Sequence, residues 1–277
     1  MNRYDKAFAA LKKENRIALV PFAVAGDPDI RTSEKVLKAY IDSGADILEI
    51  GYPFSDPMAD GPVNQRAAQR AIAAGLNPVN FFSMIERLRA YSDIPFGLLL
   101  YANTIYHIGF ETFCAKAASA GIDSILVADM PPEEADGLLA TMRQSGLQSV
   151  FIVSELTSKQ RMRFICRHTT AFVYVVSRLG TTGIQKDFSA SVRKTIAQLR
   201  AATSLPLCVG FGISSPQHVA DVREAGADGA IVGSRLVSII ESDRAQPRAM
   251  LHSIRAIVRQ LHAATHIRKG AAGRRRR

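Results

Sequence analysis

Short apolar runs rich in β-branched residues recur along the chain at residues 17–25, 47–51, 96–101, 124–128, 149–153, 171–177, 206–210 and 229–233. Amphipathic stretches such as 33–41, 110–120, 132–143 and 189–201 lie between them, with apolar residues at helical spacing. Eight strand-then-helix units in alternation predict an α/β fold, a single closed (β/α)8 TIM barrel. One barrel domain is drawn over residues 1–265, because no Ser/Pro/Gly-rich linker interrupts the chain. An extra amphipathic segment at 4–13 is expected to form an N-terminal helix that plugs the barrel floor, and 247–262 a final outer helix. Gly44-Ala45-Asp46, Gly121-Ile122-Asp123 and Gly226-Ala227-Asp228 precede the second, fourth and eighth runs. Each glycine suits a left-handed helix C-cap.

A doubly wound open sheet also alternates strands and helices, but it predicts Gly-x-Gly-x-x-Gly after the first strand. The sequence there reads Gly26-Asp27-Pro28-Asp29, which is turn chemistry without a dinucleotide fingerprint. At 277 residues and 47% hydrophobic content the chain can bury a substantial core, and a barrel of this kind needs about 250 residues. No run approaches the ~20 apolar residues of a membrane helix, and the charged start does not read as a signal peptide, so a cytoplasmic protein is expected. Cys114, Cys166 and Cys208 are far apart and form neither a disulfide framework nor a zinc spacing. His262 and His266 sit four apart, but no further metal ligand accompanies them.

The candidate chemistry lies in Ile47-Leu48-Glu49-Ile50-Gly51 and the loop Tyr52-Pro53-Phe54-Ser55-Asp56-Pro57-Met58-Ala59-Asp60-Gly61-Pro62. Strand alternation sends Ile47, Glu49 and Gly51 to one face and Leu48 and Ile50 to the other. Burial would raise the Glu49 pKa and fit it for proton transfer near neutral pH, unless a buried base pairs with it. The loops after the seventh and eighth strands, Gly210-Phe211-Gly212-Ile213-Ser214-Ser215-Pro216 and Gly233-Ser234-Arg235, offer glycines and a helix start. With Gly183 after the sixth strand they suggest a phosphate cup. Phe22, Leu99, Tyr101 and Tyr174 are candidate apolar walls for an aromatic substrate.

This catalytic strand and loop resemble those of the tryptophan synthase alpha chain family, and the likeness extends over about residues 5–240. The resemblance implies that Glu49 and Asp60 are catalytic acids and that Phe22 and Tyr174 line an indole pocket. It implies phosphate binding at Gly183, Gly212, Gly233 and Ser234, with Phe211 in the same loop. It also implies a lid in which Thr182 reaches the carboxylate loop. The implied reaction is retro-aldol cleavage of indole-3-glycerol phosphate to indole and glyceraldehyde 3-phosphate, with no cofactor on this chain. The implied partner is a beta subunit carrying pyridoxal phosphate, in an α2β2 complex, met through Pro53, Asp56, Pro57, Asn103, Tyr106 and Pro131. The chain departs from the family pattern at Ser154-Glu155-Leu156-Thr157 and in its Arg-rich end.

A sugar-phosphate isomerase or epimerase would share the cup but not the carboxylate pair, and a metal-dependent one would want histidines at strand ends, where none stands. The net charge of +10 also admits a nucleic-acid-binding protein, but Arg268, Lys269 and Arg274 to Arg277 supply six of those charges. Such a block, drawn here as a basic disordered tail over 266–277, binds nucleic acid weakly and non-specifically at best. Deleting residues 268–277 should abolish salt-sensitive binding of duplex DNA in a filter assay and leave lyase activity at the parent rate.

Overall fold

The computed structural model describes residues 1–176, 185–210 and 212–266, with side chains from 192 onward in the second of these stretches. Strands β1 (Ala18–Val24), β2 (Leu48–Gly51), β3 (Phe96–Leu100), β4 (Ser124–Val127), β5 (Gln148–Ser149), β6 (Phe151–Ser154), β7 (Val173–Val176), β8 (Leu207–Gly210) and β9 (Gly229–Val232) are all parallel. Their order runs β5-β4-β3-β2-β1-β9-β8-β7-β6. The fifth expected strand is therefore two segments on either side of Val150, one paired with β4 and the other with β7. Together they close the ring, and the fold is the (β/α)8 barrel. The expected helix at 132–143 starts as a 3₁₀ turn at Pro132–Glu134, and the α-helix begins only at Asp136. Pro131 and Pro132 remove two backbone donors from that first turn.

Alternation along the strands sorts the core. Leu48 and Ile50 pack outward against the helix layer, whereas Ile47 joins Ala18, Val20, Leu126, Phe172 and Ile231 inside the barrel. The N-terminal helix Arg3–Lys13, with Asn2 as a capping box, does plug the floor. Its Tyr4 is buried inside the ring, sharing a 2.7 Å hydrogen bond with Ser124 and lying 5.8 Å from the Phe172 ring. The last helix runs Pro247–Thr265, three residues beyond its expected end, and His266 bridges back to Arg16. The tail from 267 lies outside the described residues.

The three Gly-x-Asp echoes share one piece of hardware. Gly44, Gly121 and Gly226 have φ of +102°, +101° and +88°, the left-handed caps their positions call for. Each aspartate then reaches back to an amide in the first two residues of a neighbouring strand: Asp46 accepts from Leu19 N–H, Asp123 from Phe96 N–H and Asp228 from Leu207 N–H. An arginine from another element closes each carboxylate, respectively Arg16, Arg89 and Arg200. These staples tie helix ends to strand starts at the floor and leave the opposite rim free for chemistry.

Asp123→Ala leaves the Phe96 amide without its acceptor and takes a carboxylate from Arg89 and Arg3, which keep the carbonyls of Gly121, Ser92 and Ile94 and the Asp93 carboxylate respectively. It should cost about 2–3 kcal/mol in urea denaturation at 25 °C, the range for losing a buried hydrogen bond to a charged group.

Candidate active site

At the C-terminal rim of the strands a cavity of about 370 Å³ is lined by Phe22, Glu49, Asp60, Leu99, Tyr174 and Gly233 among others. Glu49 enters it from β2, in register with Phe22 of β1 and Gly97 of β3. The residue is 6% exposed, and among the described residues nothing forms a hydrogen bond or ion pair with its carboxyl. Burial, with the nearby Asp60 carboxylate adding to it, pushes the Glu49 pKa up to about 8 from 4.5. A buried base facing Glu49 is thus absent from the described surroundings.

Asp60 belongs to the loop after β2. Its Oδ2 accepts a 2.9 Å hydrogen bond from the Tyr101 hydroxyl, its Oδ1 one of 3.3 Å from Asn64, and its carbonyl one from Gln65. The Tyr101 oxygen in turn accepts from Ala59 N–H at 3.1 Å, and its ring stacks on Phe54 with centroids 5.3 Å apart. Tyr101, expected only as an apolar wall, is therefore also the clamp of the carboxylate loop. Asn64 was not singled out by sequence. A polar residue four positions after Asp60, at the start of a helix, is the signal that points to it.

Two glycines make room for the ring walls. A β-carbon on Gly51 would sit 2.8 Å from the Phe22 ring, and one on Gly210 would run into the Tyr174 hydroxyl. Across the cavity from Glu49 stand Gly212 and Ser214 after β8, and Gly233 and Ser234 after β9, where helix Ser234–Asp243 begins. Backbone amides at such a helix start suit an anion. Ser215 caps the neighbouring helix Pro216–Glu224 through His218 N–H. Ile213, Ile152 and Arg235 also line the cavity, none of them anticipated as site residues. Thr182, Gly183 and Phe211 lie outside the described residues.

On the outer rim Asp56, Asn103 and Tyr106 are exposed and Pro131 is half-buried. Pro53 and Pro57, taken from sequence as exposed loop prolines, are buried. They brace the loop, whose backbone folds on itself through Met58 N–H to Asp56 and Asp60 N–H to Pro57. Among the described residues no group of three or more His, Cys, Asp or Glu side chains could hold a metal ion, and no helix is long and apolar enough to cross a membrane.

Fold and site together define an α/β-barrel enzyme in which a desolvated acid and a clamped carboxylate share an apolar cavity with the start of a helix. The profile of the tryptophan synthase alpha chain matches residues 8–266. The tryptophan synthase alpha chain of Methanoregula boonei is 46% identical over 258 residues, covering 93% of this chain and 96% of its own. That of Methanothermobacter thermautotrophicus is 42% identical over 253 residues, covering 91% and 94%. The crystal structure of tryptophan synthase subunit alpha from Legionella pneumophila superposes with a TM-score of 0.88 at 36% identity, over 96% of this chain and 98% of that one. The chain belongs to the tryptophan synthase alpha chain family. It is a lyase of tryptophan biosynthesis acting on indole-3-glycerol phosphate, the alpha-subunit half-reaction of the family.

Because the folded pKa of Glu49 lies above its ordinary 4.5, the native state holds a proton that the unfolded chain releases. Its stability contribution is full below about pH 4.5 and is lost as pH rises through about 8. Glu49→Gln should remove that slope and gain ~2–4 kcal/mol over the parent at pH 9 but little at pH 4.5, read from urea midpoints.

Proposed function

We propose that Glu49 and Asp60 carry the cleavage between them, with the triose phosphate held at Gly212, Gly233 and Ser234 and, from the family resemblance, Gly183. The observation that supports this most is the Glu49 carboxyl, buried with no cation beside it among the described residues and facing an apolar cavity closed on its far side by a helix start. A carboxyl raised to about 8 is protonated at neutral pH, so it delivers a proton to C3 of the indole ring. Asp60, fixed by Tyr101 and Asn64, accepts the indole N–H and stabilises the positive charge that spreads onto the ring nitrogen. The glycerol hydroxyl then gives its proton to the Glu49 carboxylate as the bond from C3 to the side chain breaks. Indole and glyceraldehyde 3-phosphate leave, and Glu49 is protonated again.

Phe22, Leu99 and Tyr174 wall the indole, while Tyr101 serves mainly through Asp60. Thr182 and Phe211 complete the substrate site by resemblance, the first in a lid that excludes water. This chain uses no cofactor of its own; pyridoxal phosphate belongs to the beta subunit. That partner docks at the barrel mouth through Asp56, Asn103, Tyr106 and Pro131, with Pro53 and Pro57 shaping the loop from beneath. The assembly is α2β2 and cytoplasmic, and indole passes into it without entering solvent.

Incubation of the chain with indole-3-glycerol phosphate, alone and with a beta chain, should yield indole or tryptophan. Glu49→Gln should lower turnover by at least ~10³-fold while the substrate still binds in calorimetry. Turnover of that variant near the parent rate would refute the assignment. Tyr101→Phe, which removes one of the two side-chain hydrogen bonds to the Asp60 carboxylate and the acceptor of the Ala59 amide, should lower kcat about 10-fold with KM little changed.

A further inference from the structure

The catalytic carboxylate and the anion cup sit at the starts of two different helices. Pro62–Ala73 follows directly on Asp60 and Gly61, and Ser234–Asp243 follows directly on Gly233. Both run outward from the cavity, and at their far ends they are joined. Arg70 forms a bidentate pair with Asp27 in the loop after β1, with Nε to Oδ1 at 2.7 Å and Nη2 to Oδ2 at 2.9 Å. Its remaining nitrogen, Nη1, donates to Glu241 Oε1 at 2.8 Å. Arg66, one turn earlier on the same face, grips Glu241 bidentately at 2.7 and 2.8 Å.

Asp27 is wholly buried in this contact, whereas Arg70 and Glu241 keep about a fifth of their side-chain surface in water. A guanidinium satisfied by two carboxylates from two other elements has one geometry only, because its donors form a planar fork. The lever is long: Asp60 lies ~15 Å from Arg70 along its helix at 1.5 Å per residue. A tilt of ~4° at the pin therefore displaces the carboxylate by about 1 Å.

We propose that Arg70 is a positioning residue for the cleavage reaction: it fixes the separation of Asp60 from the anion cup at Gly233 and Ser234 by pinning both helices to the β1 loop. The inference rests on the assignment of Asp60 and the cup under Proposed function. Loosening the pin leaves each end intact but lets a substrate held by its phosphate miss the carboxylate. The loss then falls on the chemical step and not on anion binding.

The test uses the full chain with its beta partner. Arg70→Lys keeps a positive charge against buried Asp27 but cannot bridge two carboxylates in a fixed plane. Glu241→Gln breaks only the link to the cup helix, on a partly exposed side that tolerates the change. In both variants, at 25 °C and with native circular dichroism, kcat should fall, by ~10- to 100-fold for Arg70→Lys and less for Glu241→Gln. The dissociation constant of inorganic phosphate should stay within about twofold of the parent, and the pH limb of kcat/KM should not move.

Parent-like kcat in the folded variants overturns the proposal, as does a loss of phosphate affinity by the same factor as kcat. If Arg70→Lys does not fold, Glu241→Gln decides by the same readings. Absence of turnover by the unmodified complex overturns the catalytic assignment and this inference with it. Turnover by the unmodified complex with parent-like variants overturns the inference alone.

Discussion

A carboxyl held out of water, with no cation beside it among the described residues, is the constraint around which this barrel is arranged. Removing Glu49 from solvent favours its protonated form, and one guanidinium within reach would reverse that preference. The described arginines that meet carboxylates inside the fold do so elsewhere. Arg16, Arg89 and Arg200 are spent at the floor on Asp46, Asp123 and Asp228, and Arg70 is turned behind the rim onto Asp27 and Glu241. The nearest charge felt by Glu49 is another carboxylate, Asp60, which adds to the effect of burial.

The two ends of the barrel consequently do different work. At the floor, three repeated Gly-x-Asp turns and the Tyr4 plug close the ring with hydrogen bonds and ion pairs that are nearly all satisfied internally. At the rim, the polar groups point at the cavity, and their restraints come from behind: Tyr101 and Asn64 on Asp60, and Tyr174 laid over a glycine. Such a division lets the strands be rigid while the loops above them carry the chemistry. The two buried prolines, Pro53 and Pro57, extend that rigidity into the carboxylate loop, so that its exposed residues are presented on a fixed frame.

Much of this could be read along the chain because it depends on period. The alternation of Ile47, Glu49 and Gly51 against Leu48 and Ile50 placed the acid inside the ring, and the recurrence of eight apolar runs placed the ring itself. The glycine of each Gly-x-Asp echo announced its left-handed cap, since few other residues adopt that conformation at low cost. The aspartate of the same echo did not announce its partners, because Leu19, Phe96 and Leu207 are brought to it by strand pairing and not by sequence distance. The split of the fifth strand around Val150 and the 3₁₀ start at Pro132 were likewise below the resolution of a hydrophobic pattern.

Sequence by itself determined the order of elements, the face on which each side chain lies and the clustering of glycines at strand ends, all consequences of local backbone geometry and solvent preference. Only the tertiary structure decided that Tyr101 would clamp Asp60 across 41 residues, that Arg70 would reach Asp27 across 43 and Glu241 across 171, and that no described cation would stand near Glu49. Those outcomes depend on which elements the closed ring sets side by side, and electrostatic and hydrogen-bond energies depend on that distance in space rather than on separation along the chain.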